Sequence, residues 1–288
     1  DKNFLDAIKE ACKNKGIPDS NLKIVTGIGE DNSCYEAAAD LVDHGCDVIF
    51  ADSFGHENFI IQAARAFTDV QFCHAPGTQA HTVKLPNFHN AFASIYEGRY
   101  LAGVAAGMKL VEMKNAGELT EKNYDADGNI KIGYVGAYTY AEVISGYTSF
   151  FLGAKSIVEE QTDVSISMEV QFTGTWYDEV KERNAANTLI DNGAALISQH
   201  ADSMGAPSAC EKEGVPNVSY NGSTASSCPN TFIVSSRIDW VPYFEYMIDC
   251  VTRKEAIATD WTGTIQTGSV ALTALGTAAA EGTQAKMD

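Results

Sequence analysis

The stretch Leu41-Val-Asp-His-Gly45-Cys-Asp-Val-Ile49 returns later in the chain as Leu189-Ile-Asp-Asn-Gly193-Ala-Ala-Leu-Ile197. In both copies a helical pattern runs into a glycine suited to the left-handed C-cap, and an apolar strand follows. A repeated helix–glycine–strand unit of this kind constrains the fold strongly, because it implies two similar α/β halves. Extending the register sets Asp52-Ser53-Phe54 against His200-Ala201-Asp202, and Cys73-His74-Ala75 against Tyr220-Asn221-Gly222.

The wider pattern agrees. KIVTGI, Cys34–His44, DVIFA, Asn58–Phe67 and VQFCHA alternate between strand and helix character. The alternation resumes after Gly128 with IKIGYVG, Ala141–Glu160, VSISMEVQF, Val180–Asn192, ALISQ, Ala206–Glu213 and VPNVSY. Such alternation predicts right-handed βαβ units and parallel sheets. The expected division is residues 1–128 with part of 236–288 as one lobe, and 129–235 with part of 260–288 as the other. In parallel α/β sheets ligands bind beyond the carboxyl ends of the strands, so two facing lobes predict a ligand cleft between them. The link between the runs, Asn115–Asn129, contains Asp125-Ala-Asp127-Gly128-Asn129. Its glycine is out of place for a calcium loop and no glutamate closes it, so a plain turn is expected.

Several function classes are excluded at this stage. A formal net charge of -18 repels phosphate backbones, which argues against nucleic acid as a partner. No apolar run reaches the roughly 18 residues that would span a bilayer. The seven cysteines form no CxxC pair and read mainly as small core residues, with a Cys210–Cys228 bridge left open. There is no GxSxG elbow, no HExxH and no Walker A. Gly133-Tyr-Val-Gly136 lacks the GxGxxG spacing and reads as a strand-to-helix turn. Of the histidines, His44, His74, His81 and His89 read as surface or structural groups. No catalytic residue, metal or cofactor is expected. Two aromatics stand out instead: Phe4 opens the first amphipathic helix, and Trp176 sits in the loop Thr173-Gly-Thr-Trp-Tyr-Asp178 after a strand. Phe4 reads equally as a core residue or a ligand wall. Trp176 is the better candidate for stacking on a flat ligand.

Several segments together resemble one family. Asp1-Lys2-Asn3-Phe4, Tyr96-Glu-Gly-Arg-Tyr-Leu-Ala-Gly103, Ile132-Gly-Tyr-Val-Gly136, Trp176-Tyr-Asp178 and Val234-Ser-Ser-Arg237 appear in the order in which similar segments occur in the basic-membrane-protein, or PnrA-like, substrate-binding lipoproteins of ABC transporters. The resemblance implies an α/β, type I periplasmic-binding-protein fold. Its two Rossmann-like lobes have parallel sheets and are joined by crossover strands. It implies an extracytoplasmic receptor, at the cell surface or in the periplasm, working as a monomer with a membrane permease. The implied ligand is a purine nucleoside or a free base such as adenine. By resemblance Phe4 and Trp176 sandwich the purine, Asp1 and Asn3 hydrogen-bond near it, and His200 to Asp202 line the second lobe. The strand ends add Asp52, Ser53, Phe54, Asp178, Tyr220, Asn221 and Arg237. Family nucleoside binders carry Asp where this chain has Asn221, and Lys where it has Arg237. Together with the bulky Gln199-His-Ala-Asp-Ser203, these departures lean towards a base over a nucleoside. The resemblance also implies a strand and a lipid anchor ahead of Asp1, so the first sheet is expected to have an open position. The alternatives are a ligand-sensing domain of the same fold and a nucleoside-processing enzyme.

Overall fold

The computed structural model describes residues 2–288, and it divides into two compact units. Unit 1 comprises residues 1–94 and 238–270, and unit 2 residues 95–237 and 271–288.

Unit 1 runs α1 (Lys2–Lys15), α2 (Ser33–Asp43), β1 (Val48–Asp52), α3 (Glu57–Ala66), β2 (Gln71–Ala75), α4 (Ala80–Val83) and β3 (Phe88–Ala93). In α1 the apolar spacing Phe4, Ala7, Ala11 and Cys12 puts one buried stripe on the helix, as a 3.6-residue period requires. Unit 2 follows with α5 (Ile95–Ala116), β4 (Ile130–Gly136), α6 (Ala141–Gln161), β5 (Ile166–Phe172), α7 (Glu179–Asp191), β6 (Ile197–His200), α8 (Gly205–Glu213), β7 (Asn217–Tyr220) and β8 (Phe232–Ile238). The chain then returns to unit 1 for α9 (Val241–Arg253) and β9 (Asp260–Gly263). It ends in β10 (Val270–Leu272) and α10 (Thr283–Met287). The sheets have the orders β1-β2-β3-β9 and β10-β8-β7-β6-β4-β5. Pairing is parallel from β1 to β9 in the first and from β5 through β8 in the second. In β4 the side chains alternate. Ile132 and Tyr134 enter the cluster with α5 and α6, while Val135 packs with Leu189 and Ala186 of α7. Both faces of that sheet are therefore covered, as a parallel sheet requires.

The repeat seen in the sequence is a repeat in three dimensions. Cys46 N donates to Leu41 O at 3.2 Å and Gly45 N to Val42 O at 2.8 Å. Ala194 N donates to Leu189 O at 3.0 Å and Gly193 N to Ile190 O at 2.9 Å. These are two Schellman caps with the glycine at φ +79° and +96°, a conformation that glycine adopts without penalty.

Two expectations are corrected. KIVTGI is extended but joins no ladder, leaving Ile24 and Val25 at 41% and 49% exposure. Its counterpart in the repeat, β5, is held by β4. No strand of unit 1 occupies the β4 position among the described residues, and a strand without a partner has nowhere to place its backbone hydrogen bonds. The unit boundary also lies at Ser94/Ile95 rather than after Gly128. The reason is α5, whose backbone lies against that of α6. A Cβ on Gly103 would sit 2.1 Å from Phe150 O, and one on Gly153 would sit 2.1 Å from Tyr100 O. Gly103→Ala is thus expected to force the two helices apart. It should cost about 1–3 kcal/mol, read as a shift in the urea midpoint.

Asp125 accepts from the main-chain N of Asp127 and of Asn129, both at 2.9 Å, closing a plain turn. The seven cysteines are free. Among the described residues no group of His, Cys, Asp and Glu is arranged to hold a metal ion.

Candidate ligand-binding site

The sequence-predicted residues that follow β1, β5, β6, β7 and β8 lie at or just beyond the carboxyl ends of those strands, whereas Asn3 and Phe4 stand on α1; each unit is described by itself. Asp1 lies outside the described residues.

In unit 1 the turn after β1 carries Asp52, Ser53 and Phe54, all partly buried. Ser53 has φ +84°, which is uncommon for a residue with a Cβ. Three groups hold it there. His74 Nε2 donates to Ser53 O at 2.8 Å, Ser53 Oγ donates to Glu30, and Gly55 N donates to Glu30 Oε1 at 3.0 Å. His56 fixes the same turn from its other side, donating from Nδ1 to Asp52 O. Asn3 donates to Ile238 O at 3.3 Å. Phe4 is buried and stacks on Trp240 with ring centroids 4.7 Å apart, while Phe50 meets it at 5.5 Å. Its packing is that of a core residue, with one ring face already covered.

Among the described residues, four with side chains adopt positive φ: Ser53, Lys84, Asn221 and Lys254. Lys84 and Lys254 end helices, which accounts for them. The other two are sequence-predicted site residues at strand ends. Strained backbone tends to be kept where function needs it.

Unit 2 has the denser cluster. Trp176, in the loop after β5, is partly buried. It meets Tyr138 edge-on at 5.7 Å, Tyr140 at 6.2 Å and His200 at 6.5 Å. His200 ends β6 fully buried and stacks on Tyr220 at 4.0 Å. Tyr220 ends β7 and donates from its hydroxyl to Glu142 Oε1 at 3.0 Å. Glu142 lies in the first turn of α6, 4% exposed. Burial holds the His200 imidazole below its ordinary range, against the opposing pull of Glu142, so the ring is neutral at pH 7. Burial likewise drives the Tyr220 phenol well above its usual value, with Glu142 and Asp202 adding to the effect.

The loops bearing these groups are tied together. Asp202 N donates to Trp176 O at 2.8 Å. The buried carboxylate of Glu182 on α7 accepts from Asp178 N at 3.1 Å and from Ser203 N at 3.2 Å, bridging the loops after β5 and β6. Asp178, expected as a ligand contact, is the N-cap of α7. Its Oδ1 accepts from Val180 N and Lys181 N, both at 3.0 Å. That carboxylate is spent on the helix start. Asn221 follows β7 at φ +71°, its N donating to Ser236 O at 2.7 Å, and Arg237 stands partly buried near the end of β8.

Sequence reading missed Tyr138, Tyr140, Glu142 and Glu182. The first three follow the strand IKIGYVG directly, and an aromatic pair after a strand-to-helix turn was a usable signal.

Comparison with known proteins places this architecture. The family model described as "ABC transporter substrate-binding protein PnrA-like" matches residues 1–286. A protein of Haloferax volcanii named as an ABC transporter glucose-binding protein, TsgA13, is 31% identical over 77% of this chain and 50% of its own length. A purine-binding protein of Brucella abortus is 30% identical over 69% of this chain and 50% of its own. The chain therefore spans about half the length of these relatives. Among solved structures, an ABC transporter solute-binding protein from Conexibacter woesei superposes with a TM-score of 0.71 at 21% identity, over 99% of this chain and 88% of that one. The fold is that of the type I periplasmic binding proteins.

Proposed function

Because this chain belongs to the PnrA-like family of ABC transporter substrate-binding proteins, we propose that it is the extracytoplasmic receptor of an importer for a purine base or nucleoside. Ligand is held by loops at the carboxyl ends of the parallel strands and handed to a membrane permease. The receptor acts without catalysis, as a monomer at the cell surface or in the periplasm. No helix among the described residues is long and apolar enough to cross a membrane, and a lipid anchor ahead of Asp1 would hold such a receptor at its permease.

The observation that carries this reading is the aromatic cluster of unit 2. Trp176, Tyr138, Tyr140, His200 and Tyr220 come together at the strand ends where α/β sheets bind ligands. A flat heteroaromatic ring matches such a surface by offset stacking, and the purine-binding relative points the same way. Within the purines, Asn221 and Arg237 favour a base over a nucleoside, adenine first. On unit 2 the proposed contacts are Trp176, His200, Asp202, Tyr220 and Asn221. On unit 1 the proposed contacts are Asn3, Asp52, Ser53 and Phe54, with Phe4 offering its uncovered ring face. Asp178 acts from behind by capping α7.

Calorimetry against adenine, guanine, adenosine, guanosine, inosine and glucose tests the reading. A dissociation constant below about 100 μM, roughly -5.5 kcal/mol, is expected for at least one purine. Binding of glucose alone would move the specificity to the class named for the Haloferax relative. Release of free base from a nucleoside would make the protein an enzyme.

A further inference from the structure

Glu142 is a carboxylate with only 4% of its surface exposed, and its partners are neutral groups. Its Oε1 accepts from the Tyr220 hydroxyl at 3.0 Å, a neutral donor. His200 Nε2 stands 3.7 Å away, beyond a good hydrogen bond. A carboxylate removed from water ordinarily needs several donors.

His200 is incomplete. It is fully buried, and its Nε2 has no hydrogen-bond partner among the described residues. The ring cannot turn away to find one. It is stacked on Tyr220, its Nδ1 lies 3.4 Å from Tyr134 Oη, and a Cβ on Gly146 would fall 2.6 Å from that nitrogen. With the Tyr134 hydroxyl donating to Nδ1, the neutral ring carries its proton on Nε2, beside Glu142. A donor without a partner and a charged acceptor therefore stand side by side, both buried.

Other charged and titratable groups lie near the pair. Arg99 of α5 is engaged by Ser198, Ser219 and Ser236. Asp202, in the loop after β6, adds a second negative neighbour to Tyr220. Tyr134 of β4 and Tyr220 of β7 are held by the contacts above.

We propose that Glu142 is the specificity-determining acceptor of unit 2, taking an N–H from the ligand while His200 Nε2 donates to the ring nitrogen next to it. The complementary ligand is a nitrogen heterocycle with an N–H adjacent to an unprotonated ring nitrogen. Adenine has such an edge three times: its 6-amino group beside N1, the same group beside N7, and N9–H beside N3. The inference rests on the purine reading and names the group that enforces it.

The test is a ligand-by-variant cycle using adenine, 9-methyladenine and unsubstituted purine, measured by calorimetry on the wild type and on Glu142→Gln. The methyl group removes the N9–H, and unsubstituted purine lacks the amino group. A hydrogen bond to a charged acceptor is worth about tenfold to a hundredfold in affinity. Wild-type protein is therefore expected to bind adenine at least about tenfold tighter than one of the two analogues. In Glu142→Gln that gap should shrink to about threefold or less. Glu142→Asp keeps the charge but withdraws it, and should shrink the gap equally; it serves if the glutamine variant does not fold. Discrimination unchanged in the variants, or equal loss for all three ligands, overturns the proposal and leaves the purine reading standing. Failure of the wild type to bind any purine overturns both.

Discussion

Arg99→Ala is expected to destabilise unit 2 by about 3–5 kcal/mol, the largest effect on folding of any single change considered for this chain. The guanidinium is fully buried, yet its hydrogen bonds go to serine and carbonyl oxygens rather than to a carboxylate. Nη1 donates to Ser219 O at 2.9 Å and to Ser236 Oγ at 3.1 Å, and Nη2 donates to Ser198 Oγ. Those three serines belong to β6, β7 and β8, so one side chain from α5 fastens adjacent strands near the ends that carry the ligand loops. The rings of Tyr134 and Phe150 flank the guanidinium at 5.3 Å and 5.2 Å, where a desolvated cation–π contact is worth about 2 kcal/mol.

Two opposing quantities decide the sign. Burying a cation costs several kcal/mol, and alanine removes that cost. Alanine also strands a buried carbonyl, at about 1–3 kcal/mol, and opens a cavity beneath the packed α5–α6 pair. The second set wins, because the existing contacts already offset the desolvation. Arg99→Met separates the contributions. It refills most of the volume without restoring the hydrogen bonds, and should recover roughly half of the loss. Urea unfolding of both variants checks this. A methionine variant as stable as wild type would mean that packing alone holds Arg99 in place. The alanine variant is also expected to bind ligand more weakly, since His200 and Tyr220 sit on two of the strands that lose their tie.

How much of this was legible follows from what each feature depends on. The caps at Gly45 and Gly193 are local, set by backbone conformation within a few residues, and the repeat could be read directly. The strand ends could be read too, since parallel α/β units have fixed polarity, and His200 and Tyr220 fall at the ends of β6 and β7 as expected. KIVTGI shows the limit of local reasoning: its composition suits a strand, but a strand exists only beside a partner. The unit boundary was hidden for a related reason. Gly103 and Gly153 read as unremarkable helix positions until α5 and α6 are seen to touch backbone to backbone. Glu142 is one of 38 acidic residues. Only the burial around it separates it from a solvated surface charge. Asp178 fails in the opposite direction, since a carboxylate next to Trp176 looks like a ligand contact until its capping bonds are seen.

Trp176→Ala is expected to weaken purine binding by about 30-fold or more, which is about 2 kcal/mol, while lowering stability far less than Arg99→Ala does. The indole is partly exposed, so its removal opens no sealed cavity. Its loop is fastened through the main chain: Asp202 N to Trp176 O at 2.8 Å, and Gly174 N to Ala137 O at 2.9 Å. The alanine variant should keep those bonds and therefore the loop path. What it loses is the large apolar plane against which a purine ring stacks, and with it the edge contacts to Tyr138, Tyr140 and His200 that fix that plane. A side chain already held in its bound orientation gives up little entropy on binding, so nearly all of its contact energy appears as affinity. Trp176→Phe keeps an aromatic face of smaller area and should lose only about three- to tenfold. Calorimetry with adenine reads both variants. Equal affinity in wild type and Trp176→Ala would show that the ring stacks elsewhere, and would pass the role to Tyr138 and Tyr140.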